Sequence, residues 1–336
     1  MYNDFKDYGY DMTSVTRMTG GLKKNERYNP EAKVIIANRQ QVFTNMDQLP
    51  KIDVLICDEC HTTTAEKTQS VIEQINAPIR IGCTGSIPKT KYDKWVIIGM
   101  FGQIVAKEKI TDLQKRGFIT KMKLYQLNII DNVVEKNRNY LFHLNPLKRY
   151  RPDENGYSEI PFNAAHDAEH EYYAQYYKEL YTPVLKYISK FNDNTLLLFD
   201  KIEFGTRLFE LTKSLFPDKK VHYIDGSVDV KDRLEICRQM EEGDRNILFA
   251  EFATFQVGIS VKRLSNLVFI SSSKSFPRII QSIGRTLRLH ASKSEARIFD
   301  INFNFKYSRR HLSERLKIYK EEYNKVPDVT ETIYIE

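Results

Sequence analysis

The sequence predicts an α/β protein with two doubly wound parallel-sheet units in tandem. Three observations lead there. The chain has 336 residues, of which 41% are hydrophobic and 28% charged, enough for two cores of ordinary domain size. Short β-branched or aromatic runs recur without polar alternation, as strands buried on both faces do. The segments between several of these runs have the apolar spacing of amphipathic helices.

In order, strands are expected at residues 33–37, 54–57, 79–83, 195–199, 221–224, 247–250, 267–270 and 297–301. Helices are expected at 66–75, 204–216, 231–242 and 277–287. Residues 131–163 are polar and carry Pro146, Pro152, Gly156 and Pro161, and a Tyr-rich helical stretch follows at 164–190. The expected division is therefore a first domain at 1–130, a linker and helical connection at 131–190, a second domain at 191–305, and a basic C-terminal helix and tail at 306–336.

Composition narrows the function. With 14 glycines and 11 prolines the chain is neither fibrous nor of low complexity. No apolar run approaches the ~20 residues that span a bilayer, so a membrane partner is not expected. Four cysteines do not make a disulfide framework, and a soluble cytoplasmic protein is the expectation. The formal charge is +7. Between Lys262 and Arg297 eight cations (Lys262, Arg263, Lys274, Arg278, Arg285, Arg288, Lys293, Arg297) face one acid, Glu295. That concentration favours a polyanionic or phosphate-bearing partner, although a solvated basic face has the same composition.

The chemistry-bearing residues sit at strand ends. Val54-Leu55-Ile56-Cys57 runs directly into Asp58-Glu59-Cys60-His61. Ligands of a parallel sheet bind at the C-terminal edge of its strands, where one carboxylate can hold Mg²⁺ and its neighbour can orient a water. The next strand ends in Thr84-Gly85-Ser86. Further on, Phe255-Gln256-Val257-Gly258-Ile259-Ser260 follows a strand, and Gln281-Ser282-Ile283-Gly284-Arg285-Thr286-Leu287-Arg288 puts two arginines on one helix face. Guanidinium groups so placed suit a polyphosphate whose charge redistributes during transfer.

With these residues in this order, the chain resembles superfamily 2 helicases. Asp58-Glu59-Cys60-His61 is similar to the D-E-x-H box, Thr84-Gly85-Ser86 to motif III, Ala253 to Ser260 to motif V, and Gln281 to Arg288 to motif VI. Within the superfamily, D-E-C-H, T-G-S, Gly99-Met100-Phe101-Gly102 and Q-S-I-G-R-x-L-R look most like the UvsW-type recombination helicases of phages. The resemblance implies two RecA-like domains, the first incomplete at its N-terminus, and an ATP-dependent helicase or translocase that remodels branched DNA in recombination, repair or replication. It implies ATP and Mg²⁺ as cofactors, with Asp58 holding the ATP-bound Mg²⁺ and Glu59 orienting the attacking water. Gln281, Arg285 and Arg288 reach the nucleotide, Arg288 as the arginine finger, and Gly258 lies against it. His61, Thr84 and Ser86 couple nucleotide state to DNA grip, and Gly226, Ser227, Thr254 and Lys274 contact the nucleic-acid backbone. The implied partner is single-stranded or branched DNA, with an RNA–DNA hybrid as a further form. The implied location is the host cytoplasm for a phage protein.

One part of the family pattern is missing. No Gly-Lys dipeptide occurs in the chain, so G-x-x-x-x-G-K-[ST], whose amides and lysine cradle phosphates, is absent; Gly20-Gly21-Leu22-Lys23-Lys24 is the nearest imitation. The expectation is that a Walker-type segment is needed from elsewhere, on the same or a separate polypeptide. Two alternatives stand beside this reading: a catalytically silent fragment that still grips nucleic acid, and the motor subunit of a restriction complex.

Other constellations have plainer readings. Cys57, Cys60, His61 and Cys83 are zinc-ligand types or an ordinary strand and the variable position of the box. His166-x-x-Glu169-His170 fits an inverted zinc-protease pattern or a solvated linker helix. The Lys148-Arg149-Tyr150-Arg151 cluster with Tyr172, Tyr173, Tyr176 and Tyr177 fits a single-strand stacking surface or, for the tyrosines, a packing face.

Overall fold

The computed structural model describes residues 2–20, 29, 31–85, 87–88, 90–132, 150–153, 156–159, 169–170, 172–259, 261–270 and 276–335. The chain divides into two units, Met1–Lys107 and Glu108–Glu336.

The first unit runs α1 (Tyr2–Asp7), β1 (Val15–Met18), β2 (Val34–Ala37), α2 (Arg39–Thr44), β3 (Val54–Cys57), α3 (Glu66–Ile75), β4 (Ile79–Gly82) and α4 (Lys91–Phe101). β1 pairs in parallel with β2, and β3 in parallel with β4. Asn38 caps α2 by accepting the Gln41 N–H, and Thr90 caps α4 by accepting the Asp93 N–H, so each helix start satisfies one of its open donors. Met18, Val42 and Val71 form a small core. On β3 and β4 the register pairs Val54 with Ile79 and Ile56 with Ile81, so these four lie side by side on one face. They are 46%, 54%, 64% and 45% exposed respectively. Apolar parallel strands normally have both faces covered, and this face is open.

The second unit runs α5 (Ile110–Lys115), β5 (Lys121–Asp131), β6 (Tyr150–Asp153), β7 (Gly156–Glu159), α6 (Tyr177–Ile188), β8 (Thr195–Phe199), α7 (Ile202–Leu215), β9 (Val221–Ile224), α8 (Val230–Glu242), β10 (Ile247–Glu251), α9 (Phe252–Gly258), β11 (Asn266–Phe269), α10 (Phe276–Thr286), β12 (Glu295–Phe303), α11 (Lys306–Tyr323) and β13 (Val329–Ile335). Its seven-stranded sheet has the order β13-β5-β12-β11-β8-β10-β9, with every pair parallel. β6 and β7 form a separate antiparallel pair.

Strand alternation separates two cores. Leu196, Leu198, Leu248 and Leu267 meet α8, α9, α10 and α11 through Met240, Phe255, Ile283 and Tyr319. Leu197, Phe199, Phe249 and Val268 meet α6 and α7 through Leu180, Tyr181, Val184 and Leu208. This is the three-layer consequence of the unalternating apolar strands. At Gly205 an added Cβ would lie 2.5 Å from the Phe199 ring, so α7 sits on β8 at a distance only glycine allows.

Two expectations of organisation meet a different arrangement, and of the two readings of the tyrosines the packing face is the one observed. The boundary expected at residue 130 falls inside the second unit, whose sheet takes Lys121–Asp131 as β5. The stretch 306–336, expected as a basic helix and tail, buries Ile318, Tyr319 and Tyr323 and adds β13 to the sheet. The tyrosines of the expected connection pack inward: Tyr172 and Tyr173 are 7% and 5% exposed, their rings meet Phe305 and Phe303, and the Tyr172 hydroxyl donates to Asp131 at 2.8 Å.

Candidate nucleotide and nucleic-acid sites

In the first unit the paired acids leave β3 through a strained turn. Glu59 has φ +50° and ψ +45°, a left-handed conformation that disfavours a residue with a Cβ and is often found at functional positions. The turn is braced: Glu59 N–H donates to Asp58 Oδ1 at 2.9 Å, Cys60 N–H to Cys83 O at 2.9 Å, and Cys83 N–H to Cys57 O at 2.9 Å. The ends of β3 and β4 are thus stitched together just where both chains become polar. His61 Nδ1 lies 2.9 Å from Thr84 Oγ1 and 3.2 Å from a Glu59 carboxylate oxygen. The imidazole therefore connects the D-E-C-H turn to the T-G-S turn. Ser86 lies outside the described residues.

At Gly82 an added Cβ would meet Phe101 at 2.9 Å and Cys60 Sγ at 3.0 Å, which leaves only glycine room beneath the turn. Burial, with the neighbouring Cys60 thiol, pushes the Cys57 thiol up to about 11, which keeps it protonated and inert near neutral pH. Asp58 is exposed. An exposed hard carboxylate at a strand end is of the donor type that suits Mg²⁺. Among the described residues no group of three or more His, Cys, Asp or Glu is placed to hold a metal.

In the second unit, α10 carries Gln281, Arg285 and, just past its end, Arg288. Arg285 Nη1 donates to Phe255 O at 2.7 Å and Ile259 O at 2.6 Å, with the guanidinium 5.3 Å from the Phe255 ring centroid. It ties α10 to the end of α9. Arg288 is exposed and Gln281 half-buried. Gly258 is the last residue of α9.

The Asp225-Gly226-Ser227 turn at the end of β9 is closed on itself. Asp225 Oδ1 accepts the Ser227 N–H at 2.9 Å and the Ser227 hydroxyl at 2.6 Å. Burial raises the Asp225 carboxyl, but the Ser227 bonds outweigh it and hold it below its ordinary value. Thr254 is buried and donates its hydroxyl to Glu251 at 2.9 Å. Lys274 lies outside the described residues, as do Gly21 to Tyr28, Lys148-Arg149 and His166.

Five of the eight cations in the basic stretch are engaged by partners within the unit. Arg263 donates to Glu241 O and Glu242 O and pairs with Asp244. Arg278 pairs with Asp200 at 2.7 Å, and Arg297 with Asp193 and Glu295. Arg285 is tied to backbone carbonyls, and so is Lys293, which is 8% exposed. These charges hold the unit together internally. Sequence reasoning missed Asp200, which follows β8 as Asp58 follows β3; that parallel was a usable signal. Burial raises the Asp200 carboxyl against the pull of Arg278. The sequence marks Lys293 only as one cation of the basic stretch.

Both units are built on parallel strands whose ends carry the polar residues described above. Comparisons with known proteins give the chain its relatives. Residues 1–89 match the family model "Type III restriction enzyme, res subunit", and residues 179–290 match "Helicase conserved C-terminal domain". The ATP-dependent DNA helicase uvsW of Enterobacteria phage T4 is 27% identical over 306 residues, covering 90% of this chain and 56% of the relative. The ATP-dependent Type ISP restriction-modification enzyme LlaBIII bound to DNA superposes with a TM-score of 0.62 at 13% identity, over 96% of this chain and 26% of the other. S. cerevisiae Dbp5 bound to RNA and ADP BeF3 superposes with a TM-score of 0.55 at 14% identity, over 95% of this chain and 70% of the other. The chain is thus similar to superfamily 2 helicases in both of its units. It spans about half the length of the curated relatives it matches. No described helix is long and apolar enough to cross a membrane.

Proposed function

We propose that the chain is the motor part of an ATP-dependent DNA helicase or translocase of the UvsW type that remodels single-stranded or branched DNA in recombination, repair or replication. The observation that carries this reading is the Asp58-Glu59 turn with its His61 link to Thr84. Asp58 would hold Mg²⁺, whose charge, when bound, neutralises the β- and γ-phosphates of ATP. Glu59, held in its left-handed turn, would accept a hydrogen bond from the attacking water. His61 and Thr84 would give a direct route from that carboxylate to the neighbouring turn, the coupling role that the resemblance also gives Ser86. From the second unit, Gln281 and Arg288 would meet the nucleotide; Gly258 would lie beside it. Arg285 would act through the α9 carbonyls it holds, a narrower role than the nucleotide contact implied by the resemblance. Gly226, Ser227, Thr254 and Lys274 would follow the DNA backbone, contacts that position the strand without reading its sequence.

Phosphoryl transfer depends on positioning, and the 336 residues contain no Gly-Lys dipeptide. Hydrolysis therefore requires a phosphate-cradling segment beyond these residues, on the same or another polypeptide. The open face formed by Val54, Ile56, Ile79 and Ile81 is where additional structure would gain most by packing. The absent dipeptide also favours a second reading, a nucleic-acid-binding module without hydrolysis. The experiment is DNA-stimulated ATPase measured on the chain alone and with a segment bearing G-x-x-x-x-G-K-[ST]. The motor reading expects turnover only with the segment, abolished by Glu59→Gln. Retained DNA binding with no turnover under either condition would favour the binding module.

A further inference from the structure

Three backbone carbonyls, from two stretches of chain, converge on the amine of Lys293. The residue is 8% exposed, and its Nζ donates to the carbonyl oxygens of Lys262 at 3.1 Å, Leu264 at 3.0 Å and Thr286 at 2.7 Å. The first two acceptors belong to the turn that follows α9; the third is the last residue of α10. The same turn is held from its other side by Glu241 of α8, whose carboxylate accepts the Lys262 N–H and, at 3.2 Å, the Arg263 N–H.

The chain just beyond Thr286 is fixed as well. Thr120 N–H donates to Leu287 O at 2.8 Å, and Thr120 Oγ1 donates to Arg288 O at 3.2 Å. Four consecutive points, from Arg285 through Thr286 and Leu287 to Arg288, are thereby tied to α9, to the 262–264 turn and to the start of β5.

An ammonium is an unusual choice for this place. Burial of a charge with no carboxylate in hydrogen-bond contact is unfavourable, and a Met side chain would fill a similar volume. What the ammonium offers instead is three donors on one atom, matched here by three carbonyls from two separate segments. The group is placed for geometry.

We propose that Lys293 is a positioning residue for Arg288, locking the last turn of α10 to the turn after α9 so that displacement of the segment bearing Thr254 and Gly258 moves the Arg288 guanidinium. The inference rests on the reading in which Arg288 meets the nucleotide. It goes further by naming the link between the nucleic-acid side of the unit and that arginine.

The test is amide hydrogen exchange on the 336-residue chain. Lys293→Met is expected to speed exchange at Leu287 and Arg288 about tenfold while Leu248 and Val268, in the central strands, stay within about twofold. Lys293→Arg, which keeps the charge and the donors, restores most of the protection. Unchanged exchange at Leu287 and Arg288, or equal acceleration across the whole sheet, overturns the proposal. If Lys293→Met does not fold, Thr120→Val loosens the same turn from its other side, and unchanged exchange at Arg288 there overturns it equally. With the phosphate-loop segment supplied, Lys293→Met should lower kcat about tenfold with KM within about threefold; a rise in KM alone overturns the role. Exchange is read without nucleotide, so wild-type protein that never hydrolyses ATP would refute the motor reading while leaving exchange to decide this one.

Discussion

Arg315→Met should destabilise the second unit severely, and partial neutralisation of its partner should rescue it. Arg315 and Asp300 are both 1% exposed. Arg315 Nε donates to Asp300 Oδ2 at 2.8 Å and Nη2 to Oδ1 at 2.6 Å, and the Tyr319 hydroxyl donates to Oδ2 at 2.7 Å. Burial disfavours the Arg315 charge, but the Asp300 carboxylate outweighs it and raises the guanidinium above its ordinary value. Removing the arginine leaves a buried carboxylate with only the tyrosine, a loss of about 3–5 kcal/mol. At an m-value of about 2.5 kcal/mol/M, the urea midpoint followed by circular dichroism should fall by about 1.5 M. Adding Asp300→Asn removes the uncompensated charge while still accepting from Tyr319. The double variant should therefore be at least about 1–2 kcal/mol more stable than Arg315→Met alone. A single-variant cost below about 1 kcal/mol, or no recovery in the double variant, would show that the pair is not the buried anchor of α11 on β12.

Gly205→Ala should lower stability by about 1–3 kcal/mol in thermal unfolding, because its Cβ would enter the Phe199 ring and force α7 away from β8; a neutral result would mean that the ring moves freely. Ile56→Ser combined with Ile81→Ser should reduce aggregation in light scattering at little cost in stability, since the two side chains are 64% and 45% exposed, and a large drop in stability would show that the face is covered in solution. Stability should also depend on Lys293 at alkaline pH. Burial, opposed by Glu241, brings its ammonium down to about 8, against about 10.4 in the unfolded chain. Between those values the unfolded state binds more protons, so stability relative to Lys293→Met should rise with pH from about 8 to about 10. Chemical denaturation of both proteins across that window checks the sign, and a falling difference contradicts it.

The second unit was legible because its strands are buried on both faces. Leu196 to Phe199 and Leu267 to Phe269 read as continuous apolar runs and proved to be central strands of a parallel sheet. The two flanking strands on one side were not. β5 alternates Lys121, Lys123 and Gln126 with Met122, Leu124 and Leu127, and β13 carries Thr330, Glu331 and Thr332. Both pair with partners distant in sequence: Tyr125 of β5 lies opposite Val329 of β13. A local pattern has no access to such a pairing, so the boundary and the tail were read differently from how they fold.

Charge was the least legible property, and the reason is physical. A lysine at a phosphate and a lysine on three carbonyls are the same letter; only the partner differs, and partners come from tertiary structure. The carbonyls that Arg285 and Lys293 bind include those of Phe255, Ile259, Lys262 and Leu264, residues whose side chains give no hint of an acceptor. Backbone groups at helix ends and turns leave unpaired carbonyls that must find a donor, and a cation is the strongest donor at hand. An excess of basic residues beside two closely spaced helix ends can therefore mark internal capping as readily as an outward-facing anion site. In the second unit two arginines one turn apart differ in this way: Arg285 faces the carbonyls, while Arg288 is exposed. The proximity of the two is what allows the internal clamp to set the position of the exposed arginine.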